Sequence, residues 1–237
     1  VICGLENGSI IIFEIETGRE VQLLLGHQDL VSCLVLSRSE TILASGSEDK
    51  TAILWNMNSY EQLFVLQVKS PVSALDFSVD DQRLFAGSDD GYLRSFAATG
   101  SRELLNCTRA HDERFRSLCT STDRQYVATA SWLDKSIKLW KADTLGIEAI
   151  LVGHTDGVMC VVATGKDIPM LVSASRDGTI KIWDLKTYLE IRTLKGHEGW
   201  IGSVAVSDDQ KHIICEGEDR IVRLWCFHTG KLISCFE

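Results

Sequence analysis

His154, Ser173 or Ser175, and Asp177 stand close together in the chain, and a histidine, a serine and an aspartate are the parts of a hydrolase triad. In such a triad the hydroxyl attacks a carbonyl, the imidazole takes its proton and the carboxylate orients the imidazole. The chemistry needs an exposed nucleophile, a base free to turn over protons and an oxyanion hole, and it should occur once. Here the set recurs. His27, Ser45 or Ser47, and Asp49 repeat it upstream, as do His111, Thr129 or Ser131, and Asp134. A tryptophan follows each set, Trp55, Trp140 and Trp183, and competes for the hydroxyl. Recurrence with a competing donor favours an architectural role over a catalytic one.

The elements that position these residues emerge from the period of the chain. An aromatic residue closes a short apolar run at Phe13, Trp55, Phe96, Trp140, Trp183 and Trp225, at intervals of 42, 41, 44, 43 and 42 residues. Six positions before each lies Asn7, Asp49, Asp90, Asp134, Asp177 or Asp219. A second marker, Gly-His or a relic of it, falls at Gly26-His27, Ala110-His111, Gly153-His154 and Gly196-His197, with Val68 in the remaining slot. Between markers each unit carries four runs rich in β-branched and aliphatic residues, such as "LVSCLVL", "TILASGS", "TAILWNM" and "EQLFVLQ". Their separators are short enough for hairpins, so each unit reads as a four-stranded antiparallel meander. In a meander the loop before strand one and the turn between strands two and three emerge at the same end. His154 and Asp177 are therefore neighbours by topology.

Four-stranded units of this length, with the aromatic and Gly-His markers, resemble the WD-repeat β-propeller family. Only Trp183-Asp184 carries the literal dipeptide, and the usual proline of the first hairpin is missing from "SVDDQ", "STDRQ" and "SDDQ". The resemblance implies an all-β fold of four-stranded antiparallel blades, with a partial blade at 1–25 and blades at 26–67, 68–109, 110–152, 153–195 and 196–237. This single propeller segment reads as an incomplete seven-bladed ring; a six-bladed ring is the alternative. The resemblance also implies a structural hydrogen-bond network running tryptophan, serine, histidine, aspartate. The second, fourth and fifth repeats look complete. The third has Val68 and Phe96, and the sixth keeps His197, Asp219 and Trp225 but has Cys215 and Gly217 where hydroxyls are expected. These two repeats are expected to be the softer ones.

Function must then be sought on the surface. The residues just before the turn aspartates include acidic Glu48 and Asp89, which suit a basic partner. "SWLD" lengthens the turn of the fourth repeat and puts Trp132 and Leu133 at its tip; Arg176 stands at the matching place in the fifth. Trp200 and Arg114 sit in the loops entering strand one. Aromatic residues and arginines dominate interface hot spots, so Trp132, Leu133, Trp200, Arg114, Arg176, Glu48 and Asp89 are the candidate contacts for a protein or peptide.

The remaining chemistries find little support. The 237 residues are 45% hydrophobic and 24% charged, ordinary for a globular protein, and the net charge of −9 works against nucleic acid and anionic membranes. There is no P-loop, no GxGxxG after a strand and no zinc-ligand spacing, so no cofactor or metal is expected. The eight cysteines form no CxxC pair and read as buried free thiols, and no apolar run would span a membrane. The expectation is an intracellular protein, cytoplasmic rather than nuclear, serving as a non-catalytic interaction scaffold. The alternative is a regulatory or ligand-sensing propeller of a larger multidomain chain, such as a P-loop nucleotide-binding ATPase.

Overall fold

The β-branched and aliphatic runs form strands because each sheet covers another on its faces, so the middle strands become apolar on both sides. A computed structural model describes residues 1–101, 103–165 and 169–236. The chain divides into two units, Val1–Arg114 and Phe115–Glu237. In the first unit, β1 (Ile2–Gly4), β2 (Ile10–Phe13) and β3 (Glu20–Leu24) form a three-stranded sheet. β4 (Val31–Leu36), β5 (Ile42–Ser47), β6 (Thr51–Asn56) and β7 (Gln62–Gln67) form a four-stranded one, and β8 (Val72–Phe77), β9 (Arg83–Ser88), β10 (Tyr92–Ala97) and β11 (Leu104–Arg109) another.

The second unit repeats the plan. Its sheets are β12 (Phe115–Thr120) with β13 (Tyr126–Ser131), β14 (Ser136–Lys141) and β15 (Ile147–Val152); β16 (Val158–Thr164) with β17 (Met170–Ser175), β18 (Thr179–Asp184) and β19 (Glu190–Lys195); and β20 (Ile201–Val206) with β21 (His212–Gly217), β22 (Val222–Cys226) and β23 (Leu232–Phe236). Every pairing is antiparallel between consecutive strands, as a meander requires. The fold is all-β, built of antiparallel meanders as expected, with no helix among the described residues.

Within each unit the first strand of one sheet packs on the first two strands of the sheet before it. Val72 and Leu75 thus share a core with Ala44, Leu54 and Leu66, and Ile201 and Val204 share one with Val172, Ala174 and Ile182. Ser117 and Cys160 add side-chain contacts across these junctions, to the carbonyls of Val161 and Val204. The cysteine reading needs correction. All eight thiols are free, yet only Cys215 is buried, while Cys107 and Cys235 are exposed. Both lie on the last strand of a sheet, β11 and β23, where alternate residues meet solvent rather than a neighbouring sheet.

Two backbone features recur and set the functional geometry. In all five four-stranded sheets the first pair of strands slips register after the first residue, a β-bulge that leaves Ser32, Ser73, Arg116, Met159 or Gly202 unpaired. The residue that follows the turn aspartate, or Asn7 in the first sheet, is left-handed, at Gly8, Lys50, Gly91, Gly178 and Arg220. Three of the five positions are glycine, which adopts this conformation without the Cβ clash that Lys50 and Arg220 carry.

Candidate functional site

In the fifth repeat the turn and the loop meet over a buried chain of hydrogen bonds. Trp183 Nε1 donates to Ser173 Oγ at 2.8 Å, Ser173 Oγ lies 2.8 Å from His154 Nε2, and His154 Nδ1 lies 2.8 Å from Asp177 Oδ2. The indole is a donor only, so the serine hydroxyl passes its own proton on to Nε2 and the imidazole donates from Nδ1 to the carboxylate. Asp177 also accepts from the Thr155 amide, the Thr179 amide and the Thr179 hydroxyl. Burial works to raise the Asp177 carboxyl, but the hydrogen bonds from His154, Thr179 and Thr155 outweigh it and hold the group well below the usual carboxylate range. Ser173 is fully buried and engaged at both ends, so it presents no nucleophile.

The second repeat builds the same chain from Trp55, Ser45, His27 and Asp49, with links of 2.8, 2.8 and 2.9 Å. Between the two serines left open by the sequence, Ser45 and Ser173 join the chain. Ser47 and Ser175 instead donate to the carbonyls of Asp29 and of Asp156 and Gly157. The two serines are two positions apart and share a face of the strand, so distance along it makes the split: the tryptophans lie opposite Leu43 and Leu171, one diagonal from Ser45 and Ser173, while Ser47 and Ser175 lie at the turn end, beside the loop carbonyls. The fourth repeat straddles the division of the chain: His111 belongs to the first unit, and within the second Trp140 Nε1 donates to Thr129 Oγ1 at 2.9 Å, while Lys138 pairs with Asp134 at 3.2 Å.

The two repeats expected to be soft are held by other groups. In the third, Phe96 has no donor, but Arg94 on β10 reaches back to Asp90 at 2.6 Å and also donates to Ser88, whose hydroxyl donates to Asp90 at 2.7 Å. In the sixth, Cys215 Sγ stands in the serine's place, 3.1 Å from His197 Nε2 and 3.3 Å from Trp225 Nε1. Arg223 Nη1 lies 2.6 Å from Asp219 and 2.7 Å from His197 Nδ1, which is itself 2.9 Å from the aspartate. One ring nitrogen cannot donate to the carboxylate and accept from the guanidinium at once, so Arg223 shares with His197 the holding of Asp219. Charge-assisted bonds of this kind are stronger than neutral ones, which offsets the missing hydroxyls. Arg94→Met is expected to cost about 1–2 kcal/mol and to speed amide exchange in β9 and β10 while leaving β5 and β6 unchanged. Equal protection of β9 in the variant and the wild type would count against this role.

The surface candidates sort into two groups. Arg114, Glu48 and Asp89 engage one another: the guanidinium lies 3.0 Å from Glu48 Oε1 and 3.1 Å from Asp89 Oδ1, an ion pair without hydrogen-bond alignment at the second oxygen. The acidic pair Glu48 and Asp89, expected to suit a basic partner, is therefore partly neutralised from within. Trp200 is half-buried and its ring lies against Gly202, so little of it is presented.

Trp132 is different. It is 41% exposed and Leu133 beside it 60% exposed, on the long turn between β13 and β14. Its backbone is closely packed: a Cβ on Gly157 would come within 1.9 Å of the Trp132 carbonyl oxygen, and the Gly157 carbonyl accepts from the Arg176 amide at 2.9 Å. The Arg176 guanidinium lies 5.0 Å from the centre of the indole ring and that of Arg116 lies 6.0 Å from it, both within cation–π range. Sequence reasoning missed Arg116. It is the unpaired residue of the β12 bulge, and the signal was an arginine where most other repeats hold a small side chain.

No group of His, Cys, Asp and Glu among the described residues is placed to hold a metal ion, and no helix is long and apolar enough to cross a membrane. The family model for the WD domain, G-beta repeat matches residues 18–56, 60–96, 102–141, 147–184 and 189–226. Similar proteins include the serine-threonine kinase receptor-associated protein of Gallus gallus, 24% identical over all of this chain and 78% of its own length. The periodic tryptophan protein 2 homolog of Dictyostelium discoideum is 26% identical over 98% of this chain and 25% of its own length. Apoptotic protease-activating factor 1 of Rattus norvegicus is 27% identical over all of this chain, which spans 19% of that protein.

Proposed function

The chain belongs to the WD domain, G-beta repeat family, and from that premise we propose that it is a rigid, non-catalytic platform on which other proteins assemble. The observation that carries this reading is Trp132, a large aromatic side chain left exposed on a turn whose backbone packs closely against Gly157. An ordered aromatic loses little side-chain entropy on binding, which is why such residues serve as interface anchors. The buried serines and histidines are occupied in structural hydrogen bonds, which supports a role without catalysis. All eight cysteines are free, which suits a reducing, intracellular compartment.

A second reading has its own support. Two of the relatives are four or more times longer than the stretch that this chain spans, which favours a regulatory propeller carried by a larger chain. Both readings require a partner at the surface. Affinity capture is expected to recover a discrete set of proteins with the wild type and to lose it with a Trp132→Ala, Trp200→Ala double variant of unchanged melting temperature. Capture that is indifferent to both tryptophans would overturn the assignment of this surface.

A further inference from the structure

We propose that Arg116 and Arg176, held against Trp132, form a receptor for the carboxylates of an acidic segment of a partner protein. The inference rests on the platform reading and names the chemistry of the partner. Among the described residues neither guanidinium has a carboxylate within ion-pair distance, although the chain carries 33 acidic residues against 24 basic ones. Arg94, Arg114 and Arg223 sit on aspartate or glutamate side chains, and Arg192 donates to the Phe227 and His228 carbonyls. Arg116 and Arg176 instead sit on an indole, which positions a guanidinium without neutralising it and leaves its fork of N–H donors open.

Two features make this a built arrangement. The β12 bulge takes Arg116 out of the strand pairing and re-aims its side chain toward the turn. The backbone contacts among Trp132, Gly157 and Arg176 then set the distance from the second guanidinium to the same ring. Planar guanidinium groups bind carboxylates bidentately, and two of them beside an apolar surface suit consecutive acidic residues next to an aliphatic one. Leu133, exposed at the tip, supplies the apolar contact. On a chain of net charge −9 an acidic partner is repelled at long range, so local pairing at this patch has to supply the recognition.

The test is fluorescence anisotropy of the 237-residue chain with a labelled Gly-Leu-Glu-Asp-Glu-Leu-Gly peptide, its amide counterpart (Gln and Asn replacing Glu and Asp) and a phosphoserine counterpart. The acidic peptide is expected to bind at least tenfold more tightly than the amide peptide, and to weaken with added salt. Arg116→Gln, Arg176→Gln is expected to remove that preference at unchanged melting temperature. The Arg116→Lys, Arg176→Lys variant should keep part of it, since charge remains while the fork is lost. Equal binding of acidic and amide peptides, no binding by the wild type up to about 1 mM, or retention of the preference in the glutamine variant would each overturn the proposal. Binding of the phosphoserine peptide alone would overturn it as well, in favour of a phosphate receptor. Trp132-dependent capture of partners together with a null peptide result would leave the platform reading standing and remove only this inference.

Discussion

Asp177→Ala is expected to destabilise the fold by about 2–4 kcal/mol, which for a chain of this size is a fall in melting temperature of roughly 5–15 °C. The carboxylate accepts four hydrogen bonds, from the His154 ring, the Thr155 amide and the amide and hydroxyl of Thr179. The His154 side chain is 1% exposed, so its donor has no water to turn to when the acceptor is removed. Differential scanning calorimetry of Asp177→Ala, Ser173→Ala and the double variant measures the effect. The two costs should fall short of additive, because both residues belong to one chain of bonds. A change in melting temperature under about 2 °C would refute the structural role. The same carboxylate makes stability depend on pH. Its affinity for protons is lower in the folded state than in the unfolded chain, where an aspartate titrates near pH 4. Its contribution is therefore complete above about pH 4 and drains away as pH falls further. Asp49 and Asp219 are lowered in the same direction, so acid should unfold the protein over a single low-pH window, with a shallower slope in Asp177→Asn.

Gly91→Ala is expected to cost a similar amount, about 2–4 kcal/mol, for a different reason. Gly91 sits in the left-handed turn after Asp90 with φ of 78°, and a Cβ there would fall 2.0 Å from the carbonyl oxygen of His111. That oxygen belongs to the backbone of the loop whose Ala110 and His111 amides donate to the Gly91 carbonyl, so it cannot move without breaking both bonds. Gly178 occupies the matching turn with φ of 75° and a nearest contact at 3.0 Å, so its alanine variant should lose less. The opposite substitution carries the opposite sign: Lys50→Gly relieves a left-handed lysine and should stabilise by up to about 1 kcal/mol, after the entropy of glycine is counted. Chemical denaturation of the four proteins gives the ordering. An alanine at 91 that is tolerated as well as one at 178 would show that the loop yields.

The repeat and its strands were legible because they are local. A meander fixes which loop and which turn share an end, so His27 with Asp49 and His154 with Asp177 follow from spacing alone. The choice of Ser45 over Ser47 was not legible, since both share one face of β5 and the register of β5 against β6 decides which lies within reach of the Trp55 indole. The third and sixth repeats were read as deficient because the motif residues are missing from them. Arg94 and Arg223 hold their turn aspartates from four positions downstream, a spacing that carries no signal on a strand unless the turn between is known.

The all-β repeat architecture and the pairing of His27 with Asp49 and His154 with Asp177 could be read from the sequence, because both are set by backbone period and hairpin length. What only the tertiary structure decided is the character of the surface: that Arg114 is spent on Glu48 and Asp89, and that Arg116 joins Arg176 at Trp132. These contacts join residues that are 16 to 66 positions apart. A bulge that breaks strand alternation and a turn one residue longer than its neighbours decide them, and neither event changes the period from which the fold is read.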